Sequence, residues 1–231
     1  HELKKISNFL KKKKIIFIED SAESLGSKLY NQHSGSFGDI GTFSFHATKN
    51  LTTGEGGMVI TNNKKFAEKI KLYRSHGVLK KRYFHLLHGH NFRLTNFQAA
   101  LGLAQFSRIN HIIKIRKKIF NKYISEIKKI KKNIITQKID KNCKFVPWTF
   151  AIIVDKNFKI NRDELIKKML INKIETRNGF YSPNRLKIFK NYKNLISSDE
   201  LSKKVICLPI HLNMTMSDVV KIVNKLKMYV I

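Results

Sequence analysis

The chain has 231 residues, 42% of them hydrophobic, which is enough for one large domain or two small ones with real cores and excludes a disordered chain. Lys+Arg number 46 against 16 Asp+Glu, a formal charge of +30; the excess is mostly lysine dispersed along the chain, without the clustering with aromatics that a nucleic-acid surface needs, so no nucleic-acid partner is expected. Cys143 and Cys207 stand too far apart in sequence for a disulfide framework or a CxxC metal site, so no metal is expected and the reducing cytoplasm is the default compartment.

A helical pattern of Leu3, Ile6, Phe9 and Leu10 opens the chain. It runs into Ile15, Ile16, Phe17 and Ile18, bounded by Glu19 and Asp20, which suits a buried strand with acids at its carboxyl end. In α/β folds ligands sit at that edge. Residues 35–57 are rich in glycine and contain a strand-like piece, Thr42, Phe43, Ser44 and Phe45, followed by Lys49 and the turn Gly54-Glu55-Gly56-Gly57. Glycine at that density lets backbone come close to something. A strand is predicted over 58–61 and a helix over 63–74, with Phe66, Ile70 and Tyr73 on one face.

A polar, aromatic loop over 76–93 leads into a helix predicted over 95–106, whose Ala99, Ala100, Gly102 and Ala104 permit close packing. A long lysine-studded helix over 108–131 then links two lobes. Behind it come a strand over 148–154, a helix opened by the capping-box spacing Asn161…Glu164, a short strand around Ile174, an apolar piece over 205–208, and a last helix capped by Thr215…Asp218. The expected division is 1–130 and 131–231, the second part being a small α/β domain. No apolar run approaches the ~18 residues of a membrane helix, so no membrane partner is expected.

Taken singly, the polar residues of the first lobe are ordinary: a strand-end aspartate is usually a cap, and a lysine in so basic a chain is usually at the surface. Their order is not. The string from Ile18-Glu19-Asp20-Ser21-Ala22-Glu23 through Gly35-Ser36-Phe37-Gly38-Asp39, Ser44-Phe45-His46-Ala47-Thr48-Lys49 and Gly54-Glu55-Gly56-Gly57 resembles the DegT/DnrJ/EryC1/StrS sugar aminotransferases. The resemblance continues through Asn91-Phe92-Arg93-Leu94-Thr95-Asn96 and reaches Glu175-Thr176-Arg177 in the second lobe. Around residues 44–57 and 91–105 the wording is most similar to the GDP-perosamine synthases.

The resemblance implies a fold-type I, aspartate aminotransferase-like α/β architecture and pyridoxal 5'-phosphate as cofactor. That cofactor needs a lysine for its Schiff base, an acid at the ring nitrogen and a pocket for its phosphate. Lys49 would be the catalytic lysine, Asp20 the partner of the ring nitrogen, and Ser44 a donor to the phosphate. Asn91 would reach the phosphate of a neighbouring subunit's cofactor, which implies a homodimer with shared active sites. Glu23 stands where the family has Gln, His or Glu near the ring, with a solvated loop acid as the other reading. His46, His88 and His90 are substrate-side donors or loop residues. Arg177 is a candidate contact for the nucleotide-sugar, although Asn178-Gly179 follow where Pro and an aromatic are common, and Asn184 stands where His is expected.

Family members with His in place of the lysine act as dehydratases; Lys49 favours transamination. The expected reaction moves an amino group from an amino acid, glutamate by preference, to a nucleotide-linked keto-sugar, GDP-4-keto-6-deoxymannose by preference, for surface polysaccharide such as O-antigen. The family's phosphate-binding turn, first strands and ring-stacking aromatic have no counterpart in the sequence. The expectation is therefore a carboxyl-terminal part of a longer protein, inactive and poorly soluble as residues 1–231 alone. The alternatives are an aminotransferase for another nucleotide sugar or an inactive truncated remnant.

Overall fold

Helix α1 (Leu3–Lys12) carries no buried residue, and its Ile6 and Phe9 are exposed. It leads to β1 (Ile18–Asp20), the first strand of a three-stranded sheet in this computed structural model, which describes residues 2–130, 132, 134–189 and 195–231. β1 pairs in parallel with β4 (Ile40–Ser44), matching Asp20 to Thr42, and β4 pairs antiparallel with β5 (Gly57–Ile60), matching Ser44 to Gly57. Parallel pairing puts the carboxyl ends of β1 and β4 at one edge of the sheet, and the chain from Phe45 to Gly56 crosses that edge before turning back.

The apolar run 15–18 departs from expectation. Ile15, Ile16 and Ile18 are exposed, Ile18 at 61%, and it is Glu19 that is buried. Among the described residues β1 pairs with one strand only, at the end of its sheet, so its other edge is unpaired. Between β1 and β4 lies a small hairpin of β2 (Lys28–Leu29) and β3 (Gln32–His33), joined by Tyr30 and Asn31, both at positive φ as a two-residue type I′ turn requires. β6 (Cys143–Lys144) pairs with β2. That pairing brings residues 139–146 back to the first of two compact units, which otherwise runs to Ile113. The division thus falls inside the long helix, ahead of residue 130.

The first unit continues with α2 (Lys64–Arg74), whose amino terminus is capped by Asn63 accepting from the Phe66 N–H, and α3 (Asn96–Ser107), closed by a full capping box of Thr95 and Gln98. α3 is apolar yet has no buried residue: Phe97 is 82% exposed, and Leu103 and Phe106 also face outward. Helix α4 (Ile109–Lys128) follows directly.

The second unit comprises residues 114–138 and 147–231. Its antiparallel sheet has the order β7 (Phe150–Ile153), β9 (Val205–Leu208), β8 (Arg177–Asn178). The strand expected near Ile174 lies three residues later, because Gly179, whose N–H donates to the Val205 carbonyl, packs against that side chain and draws Arg177 and Asn178 onto the ladder. Among the described residues, α5 (Arg162–Ile171), α6 (Ile196–Lys204) and α7 (Met216–Lys227) join the carboxyl-terminal part of α4 in this unit. Asn161 with Glu164, and Thr215 with Asp218, form the two capping boxes read from the sequence.

This core is dense. Phe150 stacks on Tyr123 at 4.5 Å and meets Phe120 edge-on at 5.0 Å, while Leu165, Met169, Ile206, Val219 and Leu226 are buried. The Tyr123 hydroxyl donates to the Pro209 carbonyl at 2.8 Å, and burial pushes its pKa far up. Arg116 donates through Nη1 to the carbonyls of Trp148 and Ile210, each at 3.1 Å, and burial lowers its pKa.

Asp199, at the start of α6, accepts from Asn184 Nδ2 at 2.9 Å and from Arg185 Nε at 2.8 Å, and these two bonds hold its carboxyl below the ordinary carboxylate range. A lowered folded-state pKa contributes stability that is present above the unfolded value of about 3.9 and is lost as pH falls through the folded value. Asp199→Asn should therefore lower the melting temperature at pH 7, and the gap to the wild type should close as the pH is taken below the carboxylate range; a gap independent of pH would show that the charge is not what matters.

No helix among the described residues is long and apolar enough to cross a membrane.

Candidate functional site

Lys49 follows β4 by five residues, in a tight loop where its own N–H donates to the His46 carbonyl at 3.0 Å. Asn50, Leu51 and Thr53 behind it are buried, which anchors the loop and leaves the Lys49 side chain 13% exposed. Its Nζ lies 3.2 Å from Glu23 Oε1. A lysine this enclosed, facing a carboxylate from a loop 26 residues earlier, is not one of the solvated cations that dominate the chain. The structure thus joins two of the sequence-predicted residues directly.

Asp20 ends β1, and its Oδ1 accepts the Ala22 N–H at 3.0 Å in an Asx turn that starts the Glu23 loop. Ser44 ends β4 at the same sheet edge; its Oγ accepts the His46 N–H at 3.3 Å. His46 Nδ1 lies 3.3 Å from the Thr48 N–H, which donates to it, and 3.0 Å from the Thr48 hydroxyl; the other ring nitrogen is Nε2. That Nε2 points to Glu55 Oε1 at 3.6 Å, across the glycine turn. At Gly56, φ is +150°, and a Cβ would press on Leu94 and the Thr53 hydroxyl, so the turn admits only glycine.

The turn is tied to α3: the Glu55 carbonyl accepts from Thr53 Oγ1 at 2.7 Å and from Gln98 Nε2 at 3.1 Å. Asn91 stands ahead of that helix, exposed, in an isolated bridge with Ser75. Its Oδ1 accepts from Arg93 Nε at 3.5 Å. Asn91 belongs to the first unit, as do Asp20, Glu23, Ser44, His46 and Lys49. Arg177 lies in β8 of the second unit, exposed and paired with Cys207. Asn184, where His was expected, is committed to Asp199 and accepts from the Ser182 hydroxyl.

Sequence reasoning missed Glu19, whose carboxylate is buried one residue before Asp20. The signal was available: on a strand of period two, adjacent acids point to opposite faces, so one of the two had to turn inward.

The model of the DegT/DnrJ/EryC1/StrS aminotransferase family matches residues 1–227. The chain is 34% identical over 219 residues to the GDP-perosamine synthase of Vibrio cholerae, covering 93% of this chain and 59% of that protein. It is equally 34% identical over 226 residues to the UDP-4-amino-4,6-dideoxy-N-acetyl-beta-L-altrosamine transaminase of Campylobacter jejuni, with coverage of 94% and 59%. Among solved structures, PseC of Helicobacter pylori, an aminotransferase involved in the biosynthesis of pseudoaminic acid, superposes with a TM-score of 0.89 at 29% identity, over 99% of this chain and 63% of that one. The chain therefore spans about three fifths of the length of the relatives it matches. Its architecture is that of the pyridoxal-phosphate-dependent aminotransferases of fold type I, and the chain belongs to the DegT/DnrJ/EryC1/StrS aminotransferase family.

Proposed function

We propose that the protein is a pyridoxal-phosphate-dependent aminotransferase that moves an amino group from glutamate to a nucleotide-linked keto-deoxysugar, GDP-4-keto-6-deoxymannose, in surface polysaccharide formation such as O-antigen. The observation that carries this reading is the enclosed Lys49 amine, 3.2 Å from Glu23 and on the sheet edge where Asp20 and Ser44 end their strands. This donor set fits the cofactor: an amine for its aldehyde, a carboxylate for its ring nitrogen and a hydroxyl for its phosphate. When bound, the cofactor supplies a ring that accepts the electrons of a carbanion.

Each residue then has one task. Lys49 holds the cofactor and, once its amine is released, moves a proton to and from the substrate carbon. Asp20 keeps the ring nitrogen protonated. Ser44 donates to the phosphate, Glu23 stays beside the lysine, and His46 serves the substrate side. Asn91 acts on the cofactor phosphate of a second copy in a homodimer with shared active sites. Arg177 contacts the nucleotide-sugar. The two units are the cofactor-binding part and the small domain, and the enzyme works in the cytoplasm, bound to neither nucleic acid nor membrane.

The identity to the GDP-perosamine synthase supports the GDP-linked sugar, and the equal identity to the UDP-sugar transaminase supports a second reading with a UDP-linked keto-sugar. Incubating the full-length protein with glutamate and each keto-sugar nucleotide, with mass spectrometry of the products, separates them. Amination of the GDP-linked sugar at least ten times faster is the expected result; preference for the UDP-linked sugar would replace the substrate, and amination of neither would favour an inactive remnant.

A further inference from the structure

The Glu19 carboxylate has no task in the reading above, yet it is among the most completely bonded polar groups of the first unit. It is 6% exposed, between the exposed Ile18 and Asp20. Oε1 accepts the Gly35 N–H at 2.6 Å and the Ser21 hydroxyl at 3.2 Å, and Oε2 accepts the Phe37 N–H at 2.9 Å. An ionised carboxylate taken out of water is costly unless its oxygens are met, and bonds from N–H groups to an anion are the strong kind. A strand residue whose only role was packing would be served by Val or Ile at that position.

The bonds converge on one place. The loop 35–37 folds back over the β1–β4 pair, so close that a Cβ on Gly41 would collide with the Gly35 carbonyl, and Gly41 is the residue paired with Glu19. The next pair in the register is Asp20 with Thr42, and the Thr42 carbonyl accepts the Ser21 N–H at 2.9 Å. Ser21 is held at its hydroxyl by Glu19 and at its amide by β4. The clamp therefore ends where β1 delivers Asp20, two residues along β4 from Ser44.

We propose that Glu19 is a positioning residue: an anionic clamp that fixes loop 35–37 and the β1–β4 register, and through them sets Asp20 and Ser44 for the cofactor. It acts through those residues and touches neither cofactor nor substrate. The inference rests on the pyridoxal-phosphate reading of the same site. The clamp needs acceptors only. Glutamine has the same shape but offers one acceptor oxygen, and its amide nitrogen would meet a backbone N–H, donor against donor.

The test is Glu19→Gln in the full-length protein, with pyridoxal phosphate titrated into cofactor-free protein and the urea midpoint of that cofactor-free protein measured alongside. Glu19→Asp, which keeps both acceptor oxygens on a shorter stem, is the second variant. The expected result is a Kd for pyridoxal phosphate raised about tenfold or more in Glu19→Gln, with part of the affinity recovered in Glu19→Asp. A merely structural glutamate would lower the urea midpoint and leave the Kd of the folded protein unchanged, and that outcome overturns the proposal. Should Glu19→Gln fail to fold, an unchanged Kd in Glu19→Asp overturns it equally, and a weakened one supports it. A wild type that binds no pyridoxal phosphate would remove the cofactor reading itself, and the positioning role with it, which is distinct from a wild type that binds while the variants bind as well.

Discussion

Replacing Lys49 with alanine in the full-length protein should abolish the visible absorption band of bound pyridoxal phosphate and take aminotransferase activity to background. The chain holds many lysines, and among the described residues about half of them stand on helices, as in α1 and α4. Lys49 differs because its side chain is 13% exposed, its loop is anchored by the buried Asn50, Leu51 and Thr53, and its amine faces Glu23. Only a lysine held in this way presents one amine repeatedly to one carbon. Lys49→Arg keeps the charge beside Glu23 but cannot form the same bond, so it should lose the band as well. A band undiminished in either variant would mean that another lysine holds the cofactor.

The second large effect is expected at Asp20. Asp20→Asn keeps the size and the Ala22 contact of the strand-end residue but removes its charge, so under the proposed function the ring nitrogen would lose the anion that keeps it protonated. We expect kcat to fall about 10²- to 10⁴-fold, the scale of a positioned proton-transfer group, with the KM for the sugar nucleotide changed far less. Steady-state kinetics on both substrates checks this. A change in KM alone would make Asp20 a substrate contact, and no change in either would return it to the ordinary role of a strand-end cap.

What was legible in the sequence was local or motif-borne. The caps Asn161 with Glu164 and Thr215 with Asp218 form as read because a capping box closes within four residues, whatever surrounds it. Lys49 and Glu23 lie 3.2 Å apart although 26 positions separate them; no periodicity contains that fact, and in the sequence only the family resemblance links the two.

Features that depend on long-range pairing were read less well. The two-residue strands β2, β3 and β6 are too short for an alternation to show, and β6 is joined to β2 across more than a hundred residues. The polar helix α6 has no strong apolar face, and three tertiary bonds from Arg162, Asn184 and Arg185 tie it down instead. The run Ile15, Ile16, Phe17 and Ile18 reads as buried from composition, yet burial is a property of neighbours, and β1 has one neighbouring strand among the described residues. The inward turn of Glu19 follows from the same strand geometry and is invisible to hydrophobicity alone.

The most direct measurement is the absorption spectrum of the full-length protein with pyridoxal phosphate, recorded before and after glutamate is added. If Lys49 and its neighbours form an aminotransferase site, the visible band should disappear on addition of glutamate as the cofactor takes up the amino group, and 2-oxoglutarate should appear in equal amount. A bound cofactor that glutamate leaves unchanged, or a protein that binds none, would contradict that account.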